Sequence, residues 1–136
     1  MSLETFPKES LVPSQASIRR GRFGFDIRID LQPFTLDDEK IETAFCLNGA
    51  RLPADTRAWA RQTFTFPRNP TDGYIDGSVY IRHVHNPAEV TSIRFGELTG
   101  DTITAEFSIQ IIFEFEVTGF QNTDVKISVP LRIRAA

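Results

Sequence analysis

Hydrophobic and polar positions alternate along much of the chain. In residues 22–31 every second position is apolar, and the positions between them carry charge or glycine. Residues 102–118 follow the same spacing without interruption. A period of two is typical of a strand with one face on a core and the other in water. The pattern therefore predicts a chain built mainly from β-strands.

Seven segments show this alternation, or a shorter form of it, between turn signals that contain glycine, proline, asparagine or aspartate. They are residues 22–31, 41–47, 62–66, 74–84, 90–98, 102–118 and 125–133. The last two segments flank a short polar loop, so we expect them to form a hairpin. On its outer face, Glu114 and Glu116 would face Lys126 and Arg132 across the strands and help to set the register.

Long amphipathic helices are not indicated anywhere, and the chain has no room for the crossover helices of a parallel α/β fold. Helical turns are expected in at most two places, residues 36–41 and the segment that begins at Pro53. We predict an all-β protein, an antiparallel β-sandwich of about seven to eight strands, with a closed β-barrel as the second choice. Residues 1–17 are expected to be an extended N-terminal arm, and residues 18–136 a single β-sandwich domain.

Composition and charge exclude several classes of protein. The formal net charge is −3, without a long run of like charge, so we expect no nucleic-acid partner. The most apolar stretch is shorter than the roughly 20 residues of a spanning helix, and residues 1–17 lack the features of a signal peptide. Cys46 is the single cysteine, so it has no partner for an internal disulfide. We expect a soluble, cytoplasmic, bacterial protein that does not bind membranes.

The two histidines are the first candidates for chemistry. His83 and His85 stand two positions apart, which would place both rings on one face of a strand. Two imidazoles can share a metal ion when a third ligand completes the site, but no carboxylate stands at a recognised spacing. The alternative is that both lie where a strand leaves the core. We therefore predict no metal and no cofactor, with His83 and His85 as the weak metal candidates.

A possible binding surface is formed by alternate residues of the segment 74–84. Tyr74, Asp76, Tyr80 and Arg82 share its outer face, and tyrosine and arginine are common in interface hot spots. Ile112 is the one apolar residue on the polar face of segment 102–118, which indicates that something covers that sheet. The competing interpretation is that tyrosine is simply a good strand former covered by the arm or by a second sheet. We predict a binding surface that contains Tyr74, Asp76, Tyr80, Arg82 and Ile112.

No nucleophile elbow or phosphate-binding glycine loop is present, so the sequence gives no reason to expect an enzyme. We expect a non-enzymatic binding or protein-interaction domain that engages a protein partner or self-assembles through a sheet face. Two alternatives stay open. One is a small-ligand or glycan-binding β-module with a barrel cavity or an aromatic face. The other is a small metal-dependent hydrolase that uses His83 and His85.

Overall fold

The computed structural model describes residues 3–116 and 118–135, apart from the side chain of Glu116. This part of the chain contains ten β-strands and three short 3-10 helices. The strands are β1 (Pro13–Arg20), β2 (Phe25–Leu31), β3 (Phe34–Leu36), β4 (Glu39–Ile41), β5 (Ala44–Ala50), β6 (Thr63–Thr65), β7 (Asp76–Ile81), β8 (Val84–Thr99), β9 (Thr102–Ile111) and β10 (Thr123–Ile133). The 3-10 helices span Lys8–Ser10, Thr56–Trp59 and Glu114–Glu116.

Seven of the strands form one closed sheet. Neighbours pair in the order β8, β7, β5, β2, β1, β10 and β9, and β9 pairs again with β8. β1 and β10 run parallel, whereas all other neighbours in the ring are antiparallel. β6 adds an extra strand to β8, and β3 pairs with β4 in a separate hairpin. The all-β prediction is confirmed, and the architecture is a closed barrel.

The preferred sandwich is not confirmed, because β8 joins two parts of the sheet that a sandwich would keep apart. This strand has 16 residues, and it pairs with β7 at its start and with β9 along the rest of its length. Its register with β9 shifts between Val90 and Ser92 and again between Phe95 and Leu98. Bulges of this kind bend and twist a strand. A bent β8 can therefore close the ring, and the second choice made from the sequence fits.

The interior of the barrel is filled with apolar side chains from all seven strands. Buried residues on these strands include Ile18, Ile27, Ile29, Phe45, Leu47, Val79, Ile93, Ile103, Phe107, Ile127 and Leu131. In β9 and β10 the inward and outward positions alternate as the sequence predicts. The expected hairpin of these two strands is confirmed by ten paired positions, from Thr123 opposite Ile111 to Arg132 opposite Thr102.

A cluster of aromatic rings closes each end of the barrel. At one end, the Trp59 ring lies 4.9 Å from that of Phe25 and 5.4 Å from that of Phe95. We call this the Trp59 end. At the opposite end, where β2 finishes and the β7–β8 turn lies, the ring of Phe6 contacts those of Phe34, Phe113 and Phe120. We call this the Phe6 end.

The predicted helical turn after Pro53 is confirmed as the 3-10 helix Thr56–Trp59, but the one at residues 36–41 is wrong. Those residues belong to the β3–β4 hairpin, whose turn residues Asp37 and Asp38 have φ values of 47° and 67°. Aspartate tolerates this left-handed conformation better than most residues, because its short side chain can hydrogen-bond locally. A two-residue turn therefore replaces the expected helix.

The predicted strand 102–118 ends early, at Ile111. The Ile112 N–H donates to the carbonyl oxygen of Pro87, and the Asn122 side-chain oxygen accepts from the N–H groups of Phe113 and Glu114. These bonds turn the chain into the helix Glu114–Glu116. Glu114 is therefore not on the outer face of β9; Glu106 faces Lys126 there, with 3.9 Å between charged atoms. Val117 and the Glu116 side chain lie outside the described residues.

The segment expected as an N-terminal arm contributes to the barrel. Residues 13–17 form the first part of β1, which lies between β2 and β10. Phe6 and Leu11 belong to the buried core, and the Glu4 N–H donates to the carbonyl oxygen of Gly119. Residues 3–12 therefore cover the Phe6 end rather than extend away from it.

Replacement of Trp59 tests how much the aromatic closure stabilises the barrel. Trp59 is fully buried, and its indole N–H donates to the Pro53 carbonyl oxygen over 2.8 Å. We expect Trp59→Ala to lower the free energy of unfolding by about 3–5 kcal/mol, because it removes a large buried ring. Urea denaturation followed by circular dichroism measures this. The control is Phe23→Ala, since Phe23 is 76% exposed and its loss should cost about 0.5 kcal/mol or less. Equal losses in the two variants would contradict the prediction.

Candidate functional site

The turn between β7 and β8 has an unusual backbone. It consists of two residues, Arg82 and His83, with φ values of 55° and 64°. Hairpin turns of this length need positive φ and normally use asparagine, aspartate or glycine. An L-residue with a longer side chain costs roughly 1–2 kcal/mol in this conformation. The surrounding contacts must therefore hold the turn in place.

Arg82 supplies those contacts by joining its turn to the β3–β4 hairpin. Its Nη2 donates to Asp37 Oδ2 over 2.8 Å and to the Leu36 carbonyl oxygen over 3.2 Å. Its Nε lies 3.1 Å from Glu39 Oε2. The hydrogen bond with Asp37 raises the pKa of Arg82 above its usual value. Exposed ion pairs contribute little to stability, but three contacts fix the position of this side chain.

Asn86 holds the same hairpin from inside the barrel. Its side-chain amide donates to the carbonyl oxygens of Val84, over 3.1 Å, and Val79, over 3.3 Å. Asn86 is completely buried, and its Oδ1 has no hydrogen-bond partner within the described part of the chain. A buried acceptor without a partner costs free energy. The hairpin therefore combines two local features, the turn and this amide, that do not favour stability.

Tyr80 and His85 form an exposed pair on the outer face of this hairpin. The two residues are opposite each other in the β7–β8 register, and their rings meet edge to face with centroids 5.3 Å apart. Tyr80 is 54% exposed. The pair presents apolar ring surface together with a hydroxyl and an imidazole, which can both form hydrogen bonds.

The structure divides the binding surface that the sequence predicts. Tyr80 and Arg82 lie at the Phe6 end, whereas Tyr74 and Asp76 line a groove of about 550 Å³ beside Phe23, near the Trp59 end. Ile112 is buried just beyond the end of β9, at the Phe6 end, so it is not part of an exposed surface. The predicted residues therefore do not form one continuous exposed surface.

The two histidines do not share a strand face. His83 lies in the turn, while His85 lies on β8 beside Tyr80. Within residues 3–116 and 118–135, no group of three histidine, cysteine, aspartate or glutamate side chains is placed to hold a metal ion.

Large exposed apolar side chains are concentrated at the Phe6 end. Of the five in the described chain, Leu3, Val12, Tyr80 and Phe115 are at this end, and Phe23 is near the other. The register supports this placement: Val12 precedes the start of β1, and Phe115 follows the end of β9. Phe115 is 70% exposed. Alternation alone predicts that Phe115 and Phe23 point inward, so the sequence analysis missed that both are exposed. Both residues lie just outside a strand, and only knowledge of where β2 begins and β9 ends would have identified them.

The chain is an all-β closed barrel in which four of the five large exposed apolar side chains of the described residues lie at one end. No protein-family model, curated protein or solved structure matches the chain. The helices found in the described residues are three or four residues long, and none could cross a membrane.

Substitution of His83 tests whether its backbone is strained. We expect His83→Gly to raise the free energy of unfolding by up to about 1 kcal/mol, because glycine adopts positive φ without steric cost. The matched control is Ser78→Gly on β7, which should lower it by about 0.5–1 kcal/mol, as glycine does within a strand. Urea denaturation of both variants gives the comparison. A decrease at position 83 as large as that at position 78 would show that the turn is unstrained.

Proposed function

We propose that this barrel is a non-enzymatic protein-binding domain that engages a protein partner through the rim of its Phe6 end. The observation that supports the proposal is the concentration of exposed Leu3, Val12, Tyr80 and Phe115 at that end. Exposed apolar surface on a folded domain commonly marks a protein interaction site.

The residue types on this rim suit a protein partner. Tyrosine and arginine are enriched in interface hot spots, and here the Tyr80 ring meets that of His85 edge to face while Arg82 is held by Asp37 and Glu39. Side chains that are already ordered lose less conformational entropy when a partner binds. The rim is therefore partly preorganised for binding.

The charges at the Phe6 end indicate what kind of partner would fit. Acidic residues are numerous in the segments that meet at this end, which are the N-terminal segment, the β3–β4 hairpin and the helix after β9: Glu4, Glu9, Asp37, Asp38, Glu39, Glu42 and Glu114. The basic residues of these segments and of the β7–β8 turn, Lys8, Lys40 and Arg82, offset only part of this charge. Complementary charges on two protein surfaces increase the rate at which they meet in the correct orientation. We therefore propose a partner surface with an apolar centre and a basic edge, in the cytoplasm.

Small-ligand binding inside the barrel is less well supported, because apolar side chains fill the interior and aromatic clusters occupy both ends. Self-assembly remains within the proposal, since a second copy of the chain is also a protein partner. The following experiment tests for both kinds of partner, a different protein and a second copy of the chain.

The double variant Tyr80→Ser, Phe115→Ser tests the proposed rim, with Phe23→Ser as a control that removes an exposed aromatic ring near the other end. All three side chains are exposed, so the variants should remain folded. We expect a partner captured by the wild type and by the control to be at least about tenfold depleted with the double variant. Sedimentation over a range of concentrations reports self-association of the same three proteins. Equal capture and equal sedimentation for wild type, control and double variant would refute the rim as the binding surface.

A further inference from the structure

A second surface lies on the outer face of β1, β2 and β10, along the side wall of the barrel. A groove of about 450 Å³ runs along these strands, and its lining includes Ser17, Arg28, Thr102, Arg132 and Arg134. We propose that this groove binds a small molecule that carries phosphate. Its volume is within the range of about 300–1,000 Å³ that is usual for small-molecule sites.

Strand register places Ser17 between two arginines. In the parallel pairing of β1 with β10, Ser17 is opposite Arg132; in the antiparallel pairing of β1 with β2, it is opposite Arg28. Residues at paired positions project to the same side of a sheet. Ser17 is half-buried, while both arginines are exposed, so the three side chains form an outward-facing row across three strands.

Arg134 and Thr102 extend the row. The Arg134 N–H donates to the Ile18 carbonyl oxygen over 2.9 Å, which continues the β1–β10 pairing beyond the end of β10 and keeps Arg134 beside the groove. Thr102 is opposite Arg132 in the β9–β10 register. The groove therefore offers three guanidinium groups and at least two hydroxyl groups to one ligand.

The groove has more positive than negative charge, although the whole chain has a net charge of −3. Asp30 is the one carboxylate in its lining, and it accepts hydrogen bonds from Arg28 over 2.8 Å and from Gln15 over 3.2 Å. Arg132 pairs with Asp101 over 3.5 Å, and its side chain is 62% exposed. Within the described residues, no carboxylate lies within 4 Å of the Arg134 guanidinium. An anion can therefore bind Arg134 directly, and at Arg132 it competes with one exposed ion pair, which is weak.

Phosphate matches this donor set. The planar fork of a guanidinium binds two phosphate oxygens at once, and each such charge-assisted bond is stronger than a neutral one. A phosphate group presents several oxygens in a tetrahedral arrangement, so it can accept from arginines on neighbouring strands and from the hydroxyl between them. This inference does not depend on the proposed protein partner.

Pyrophosphate is the probe for the test, and the amide resonances of ¹⁵N-labelled protein are the readout. Titration at constant ionic strength, balanced with sodium chloride, should produce saturable shifts at Ala16, Ser17 and Arg132. We expect Arg132→Gln and Arg134→Gln each to weaken binding by at least about tenfold. Arg57→Gln is the control, because Arg57 is exposed and pairs locally with Asp55, outside the groove. The same spectra show whether each variant is folded, and the Arg132 side chain is 62% exposed, so its replacement should not disturb the barrel.

Parallel titrations with inorganic phosphate and with a nucleoside diphosphate distinguish free phosphate from an esterified ligand, and saturable binding of either supports the proposal. Shifts that sodium chloride alone reproduces would overturn it, as would equal weakening in Arg57→Gln. Saturable binding of a polyglutamate peptide without binding of pyrophosphate would also overturn it, because the groove would then recognise an acidic polypeptide.

Discussion

The parallel pairing of β1 with β10 is the contact on which the closed barrel depends. All other neighbours in the ring are antiparallel, and they could exist equally well in an open, curved sheet. The parallel contact joins the first and last strands of the barrel through three paired positions, from Ala16 opposite Leu131 to Ile18 opposite Ile133. An open sheet would leave β1 and β10 with exposed edges that can pair with other chains. Closure removes both edges and encloses the apolar faces of all seven strands.

Closure also determines where ligands can bind. A seven-stranded ring has little interior space once branched and aromatic side chains point inward, and here Phe45, Phe107 and Ile103 are completely buried. The ends must then be covered, and the chain does so with segments outside the ring: the helix that carries Trp59 and the segment that carries Phe6. Binding surfaces are consequently left on the rim and on the outer face of the sheet. The pairing that closes the ring also brings Ser17 beside Arg132, so one contact contributes both to the fold and to the arginine groove.

Alternation in the sequence predicts strands well and their neighbours poorly. It correctly identifies β9 and β10 and their pairing, because both are long and one-sided and they follow each other in the chain. The connection between them, residues 112–122, is longer than the sequence predicts. The pattern extends β9 too far, because Phe113 and Phe115 continue the alternation, whereas hydrogen bonds to the Asn122 side chain turn the backbone there.

The choice between a sandwich and a barrel depends on which distant strands pair, and strands alternate with a period of two in both folds. For the same reason, Ser17, Arg28 and Arg132 cannot be recognised as one group before the register is known. Tyr80 and Arg82 are recognisable from residue type, although Tyr74 and Asp76 belong to a different groove.

The β7–β8 hairpin, which carries Tyr80, contains two local features that are unfavourable for folding. Arg82 and His83 occupy a turn suited to asparagine and glycine, and Asn86 buries an acceptor without a partner in the described chain. Sequences usually agree with the local demands of their fold, and exceptions are most common at functional sites. Strain of this kind persists only where the surroundings hold it, as Asp37 and Glu39 hold Arg82. Asparagine and glycine would satisfy the turn but would supply neither the guanidinium nor the imidazole. The residues in the turn are therefore better explained by what they present at the rim than by the hairpin they form.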